Sequence, residues 1–113
     1  VSAPSPQSKQ GKNMKDINTC GTSYRGQFRL PYAKVIELLG QPNAQSDGYK
    51  TDLEWSFEKD GVVATVYNWK NGPNYTGSGS VEDINVWHIG GFNVQAIYLV
   101  SDKLGGQGEI HFD

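Results

Sequence analysis

The sequence predicts a small α+β domain, an antiparallel sheet in the order β-α-β-β-β-α packed by two helices. Three observations carry this. Leu53, Trp55 and Phe57 alternate with Asp52, Glu54, Ser56 and Glu58, the period of a strand with one buried face. Asp60-Gly61 follows as a two-residue hairpin turn, whose central positions both need positive φ. Two stretches, beginning near Pro31 and Asn93, repeat apolar residues at helical spacing and stop at glycine. With 113 residues the chain can bury one modest core, expected over residues 16–113 as a single domain. Residues 1–15 are rich in Ser, Pro, Gln and Lys, cannot bury themselves, and are expected to form a disordered arm. Val1 is an unusual first residue, and Met14 is a candidate start.

The elements follow in order. "SYRGQFRL" (23–30) is expected as the first strand, with Tyr24, Phe28 and Leu30 on its apolar face and Gly26 marking a bulge or a close approach. "LPYAKVIELLGQPN" predicts a short helix. Pro31 suits its first turn, Tyr32, Val35, Ile36 and Leu39 form its stripe, Gly40 caps it and Pro42 blocks continuation. The hairpin comes next. A two-residue loop pairs Lys59 with Val62, Phe57 with Ala64 and Trp55 with Val66, so Ala64 and Val66 join Leu53, Trp55 and Phe57 on the core face. Val63, Thr65, Tyr67 and Trp69 then fall on the other face beside Glu54 and Glu58, where one of Trp87 and His88 could join them. A three-residue loop would reverse every side chain. "KNGPNYTGSGS" reads as a long polar loop, and "INVWHI" as a further strand ended by Gly90-Gly91. Asn93 is expected to cap a second helix with Val94, Ile97, Tyr98, Ser101 and Leu104 along one stripe. "QGEIHFD" is an added edge strand or a tail.

Composition narrows the function classes. A net charge of -2 provides no cationic field for duplex nucleic acid. Cys20 is the single cysteine, so there is no internal disulfide, and a reducing cytoplasm suits the chain. No apolar run approaches the roughly 20 residues that span a bilayer, and the first residues lack a signal-peptide core. Neither a membrane partner nor a cofactor is expected.

No catalytic residue is nominated. His88 could act near neutral pH, but His111 is the only other histidine and lies far along the chain, so no metal-ligand spacing exists. Glu54 and Glu58, four residues apart on a strand, stand about 13 Å apart, too far to act on one bond. Asp52, Glu82 and Asp83 read as solvated surface. The aromatics are more informative. Trp55 and Phe57 are explained as core, whereas Tyr67, Trp69 and Tyr75 are not. They could fold back into a second small core, or they could be covered by a loop, another subunit, a host protein or a flat ligand. Trp and Tyr anchor protein interfaces and stack nucleobases, with Arg or Lys nearby for phosphate. The candidate ligand- or partner-binding residues are therefore Tyr67, Trp69, Lys70, Tyr75, Trp87, His88 and Arg25, with Arg29 and Lys50 as further sources of charge. A homo-oligomer is expected.

The segment "DGYKTDLEWSFEKDGVVATVYNWKNGPNY" followed by "VEDINVWHIGG" resembles a group of small bacteriophage-encoded proteins. Their pattern combines Leu-Phe-Gly-x-Pro, Glu-Trp, an Asp-Gly turn, Ile-Tyr-Asn-Trp/Tyr-Lys and Trp-His-Ile-Gly-Gly. The matching residues are Leu39, Gly40, Pro42, Glu54, Trp55, Asp60, Gly61, Tyr67, Asn68, Trp69, Lys70 and the run from Trp87 to Gly91, within a likeness covering roughly residues 21–104. The resemblance implies a phage accessory protein working in the host bacterial cytoplasm. Such a protein is expected to antagonise a host defence by binding a nucleotide-like signal or a host protein without chemistry. The alternatives are a small phosphoester- or nucleotide-acting enzyme using His88 with Glu54 or Asp83, and a virion structural protein with an extended arm.

Overall fold

The computed structural model describes residues 19–112, so the arm expected over 1–15 lies outside the described residues. The chain forms β1 (Ser23–Arg29), α1 (Tyr32–Leu39), β2 (Glu54–Lys59), β3 (Val62–Tyr67), a one-turn α2 (Pro73–Thr76), a 3-10 turn (Val81–Asp83), β4 (Val86–Gly91), α3 (Gln95–Lys103) and β5 (His111–Phe112). The strands make one antiparallel sheet ordered β2-β3-β4-β1-β5. This is the expected α+β architecture, with the chain's last segment adding an edge strand. The polar loop differs in detail, since it contains α2, which Pro73 starts and Gly77 ends in a left-handed conformation.

The hairpin has the two-residue register. Asp60 and Gly61 hold φ of 53° and 82°, and Trp55 faces Val66 while Phe57 faces Ala64. These residues join Phe28, Trp87 and Ile89 on one sheet face, beneath Val35 of α1 and Ala96, Ile97 and Val100 of α3. Trp55 and Trp87 are both 0% exposed and meet edge-to-face, with centroids 5.6 Å apart. Each buried indole N–H needs an acceptor, because leaving one unpaired costs about 1–3 kcal/mol. Trp55 donates to the Gly40 carbonyl and Trp87 to the Leu30 carbonyl, both at 2.9 Å. Those carbonyls bracket α1, so the two tryptophans hold the helix at both ends.

Three expectations are corrected. Trp87 is core, so it is removed from the outer-face residues. Its partner across β1 is Phe28, and strand alternation leaves His88 as the residue of the pair that faces outward. In β1, the register slips between Tyr24 and Gly26, so Arg25 is an extra, bulged residue. The slip turns Tyr24 away from the Phe28 face. In α3 the buried residues are Ala96, Ile97, Leu99 and Val100, followed by Leu104, whereas Val94 and Tyr98 are exposed. The helix is rotated because Ala96 packs directly on Gly91, where a Cβ would collide with its methyl. Asn93 does support this helix, its side-chain oxygen accepting from the Gln95 amide at 2.9 Å.

The outward backbone groups of β2 and β1 are partly occupied. Along β2, the Asn43 side chain accepts from the Ser56 amide (2.7 Å) and donates to the Ser56 carbonyl (3.1 Å), and the Ala44 amide donates to the Glu54 carbonyl. β5 pairs Gly26 with Phe112 and Gln27 with His111 along β1.

Candidate functional site

Both long helices lie on the core face, and the opposite face of the sheet carries a polar and aromatic surface. Cross-strand pairing sets its layout. Glu54 faces Tyr67, Tyr67 faces His88, and His88 faces Gln27, forming one row. Ser56, Thr65, Gly90 and Tyr24 form the next. Gly90 has a specific role here, since a Cβ would sit 2.5 Å from Thr65 Oγ1 and 3.3 Å from the Tyr67 ring. The absent side chain keeps the floor between the two rows low.

Above this floor His88 sits among rings. Its centroid lies 4.7 Å from Tyr24, 5.7 Å from Tyr67 and 6.4 Å from Trp69, the last with planes only 24° apart. Tyr67 and Trp69 meet edge-to-face at 6.2 Å. The cluster continues outward to Tyr49 and Tyr75, whose centroids are 5.5 Å apart. Lys50 Nζ is 5.4 Å from the Trp69 ring, and Lys70 Nζ is 5.8 Å from Trp69 and 5.6 Å from Tyr75. These are cation–π distances. Trp69, Tyr75 and Tyr49 are 39%, 41% and 57% exposed, so no second small core forms around them.

The loops that carry these outer residues are tied to each other. Fully buried Asn68 accepts from the Asp52 and Leu53 amides (2.7 and 3.0 Å) and donates to Asp52 Oδ1 and Asn71 Oδ1. Asp52 Oδ2 in turn accepts from the Asn74 amide at 2.9 Å. Lys70, at φ 58°, donates its amide to the Lys50 carbonyl at 2.7 Å. Asp47 organises residues 47–51, its Oδ1 accepting from the amides of Tyr49, Lys50 and Thr51 at 2.8–2.9 Å. Those bonds, led by the Thr51 amide, hold its carboxyl below the usual range.

A cavity of about 230 Å³ opens between these loops and the sheet. Trp69 and Tyr67 supply its aromatic wall, with Gly90 and Thr65 beside them. Glu54 and Asp47 contribute carboxylates, and Thr22, Ser23 and Thr51 contribute hydroxyls. Burial raises the Glu54 carboxyl above its ordinary value, and the Asp47 charge raises it further. Burial, then Glu54, then Tyr24 push the Tyr67 phenol up to about 12, so it remains a neutral donor. Burial pushes the His88 imidazole down, favouring its neutral form.

Of the expected site residues, Tyr67, Trp69, Lys70, Tyr75 and His88 come together on this face. Arg25 is engaged elsewhere, its Nε and Nη2 donating to the Gly91 and Phe92 carbonyls at 3.0 and 2.7 Å. Sequence reasoning missed Tyr24, Tyr49 and the cavity-lining role of Glu54. Gly26 hinted at the bulge that turns Tyr24, and the hairpin register had placed Glu54 on this face without assigning it a role, but no signal pointed to Tyr49.

Neither acid considered as a partner for His88 meets it. Glu54 is two strands from His88, roughly 10 Å at ordinary strand spacing. Asp83 caps its own 3-10 turn, accepting from the Ser80 amide. Among the described residues no group of three or more His, Cys, Asp and Glu side chains could hold a metal ion, and no helix is long and apolar enough to cross a membrane. No protein-family model matches the chain, and no curated protein or solved structure shows significant similarity to it.

Proposed function

We propose that the protein binds a nucleotide-like ligand without chemistry, through the outer sheet face. One observation carries this reading. Trp69 is partly exposed, has two lysine ammonium groups within 6 Å of its ring, and forms a wall of a polar cavity. An exposed indole stacks a base, and flanking lysines meet phosphate. The EW…DG…YNWK…WHIGG pattern supports the biological setting, a phage accessory protein in the host bacterial cytoplasm that sequesters a signal of a defence system.

Limiting protein incubated with an excess nucleotide mixture, washed and heated, should release about one intact equivalent per site. Trp69→Ala should reduce capture about tenfold or more, since one stacked base contributes roughly 1–3 kcal/mol. Turnover at sub-stoichiometric protein, lost in a folded His88→Ala variant, would overturn the reading in favour of an enzyme. The exposed Tyr49, Trp69 and Tyr75 also suit the anchors of a protein interface. Capture of a host protein but no nucleotide, abolished by the same substitution, would establish that reading instead.

A further inference from the structure

The site has a polarity that selects among nucleotides. Inside the cavity, the ionisable groups are the acids Glu54 and Asp47 and the phenol of Tyr67. Asp47 spends Oδ1 on its own loop amides, whereas no hydrogen bond to the Glu54 carboxylate occurs among the described residues. An ionised carboxylate is acceptor-only and can take two parallel N–H donors. Outside, against the Trp69 ring, stand the cations Lys50 and Lys70. The complementary ligand is therefore a flat ring with two adjacent donors at its inner edge and an anion at its outer end.

Among the common bases, guanine offers that edge: its N1–H and N2–H are neighbouring donors. Adenine offers one donor beside an acceptor, and cytosine likewise sets an acceptor beside its amino group. Uracil and thymine have a single N–H between two carbonyls. Resting on the nucleotide reading above, we propose that the cavity takes a guanine nucleotide, with Glu54 accepting from N1–H and N2–H, Trp69 stacking the base, and Lys50 and Lys70 meeting the phosphate. The Tyr67 phenol and the Thr65 hydroxyl border the same space and can serve the base carbonyl or the ribose, whereas the Thr51 hydroxyl is engaged with Asp47. A site built to pair with donors discriminates strongly against a base that leaves its acceptors unpaired.

Titration calorimetry with GMP, IMP, AMP and guanosine tests this on the whole chain. GMP should bind most tightly. IMP, which lacks the N2 amino group, should bind about tenfold more weakly, and AMP at least a hundredfold. Guanosine should also bind more weakly than GMP, and added salt should narrow that gap by screening the lysines. Glu54→Gln, which removes a charge from a desolvated position and so retains the fold, should bring GMP and AMP within about threefold of each other. Equal binding of GMP and AMP by the unaltered protein, lost in Trp69→Ala, would overturn the guanine assignment and leave the nucleotide reading standing. Undiminished preference for GMP in Glu54→Gln would overturn the role of Glu54. Failure of all four ligands to bind would overturn the guanine assignment, and release of no nucleotide after incubation with the mixture above would overturn the nucleotide reading as well.

Discussion

The two faces of the sheet both carry tryptophan, yet the rings live in different chemistry. Trp55 and Trp87 are fully buried, meet edge-to-face, and give their N–H groups to backbone carbonyls. Trp69 keeps over a third of its surface in solvent and is flanked by lysines. An aromatic residue is thus not intrinsically core or site. What separates the two is where the indole N–H goes and which groups share the ring.

The sharpest way to break this comparison is to truncate one ring on each side. Trp55→Ala should destabilise by about 3–5 kcal/mol in urea unfolding, through the cavity it leaves and the loss of the bond to Gly40. Trp69→Ala should cost under about 1.5 kcal/mol, because its ring is only part-buried. Equal losses would assign both rings to one core.

Adjacent glycines provide a finer contrast. Gly91 points to the core, where a Cβ collides with the Ala96 methyl and comes within 3.0 Å of the Val63 carbonyl. Gly91→Ala should cost about 1–3 kcal/mol, since neither neighbour can give way easily. Gly90→Ala meets a hydroxyl and the edge of a ring on the outer face. It should cost less stability than Gly91→Ala while filling the cavity floor and impairing ligand binding. The reverse ranking in thermal melts would contradict the assignment of faces.

At the turn that sets both faces, Gly61 holds φ 82° with open space around its Cβ position. Gly61→Ala should therefore cost about 1 kcal/mol from backbone strain alone, measurable as a shift in unfolding midpoint.

The smallest effects are titrations of the outer face. The folded state holds His88 below the ordinary 6.5, so the unfolded chain takes up the proton first. Stability should fall as pH drops from about 6.5 through the folded value, and His88→Phe should flatten that slope. Glu54 has the opposite sign. Its folded pKa lies above 4.5, so its contribution is present at lower pH and lost as pH rises through the folded value. Melting temperatures of the parent, His88→Phe and Glu54→Gln across pH 4–8 check both slopes.

The hairpin was legible in the sequence because its determinants are local. Asp60-Gly61 chooses the turn, the turn chooses the register, and the register separates Trp55 from Tyr67 and Trp69. The misplaced residues depend on distant partners. Tyr24 reaches the outer face through a bulge at Arg25, whose guanidinium binds carbonyls at the end of β4. The phase of α3 depends on Ala96 meeting Gly91, and no helical periodicity records that contact. Trp87 and His88 were ambiguous because the preceding loop does not reveal the parity with which β4 starts. Tyr67, Trp69 and Lys70 lie on or just beyond β3 and could be read from the hairpin register, and Tyr75 from its polar loop. Tyr49 and Lys50 reach it through the Asp47 amide bonds of an irregular loop.

The Asn43 side chain on β2 bears on how copies of this protein can meet. A strand that recruits another strand must present unpaired amides and carbonyls, the route by which sheets join end to end into larger sheets and fibres. Here Ser56 has both of its outward groups taken by one asparagine, and Glu54 loses its carbonyl to Ala44. At the far edge, β5 is only two residues long. Among the described residues, neither margin offers a long run of free backbone groups for another strand to pair with. Asn43→Ala would reopen the Ser56 groups, and light scattering of the concentrated variant would show whether that amide keeps the sheet at five strands.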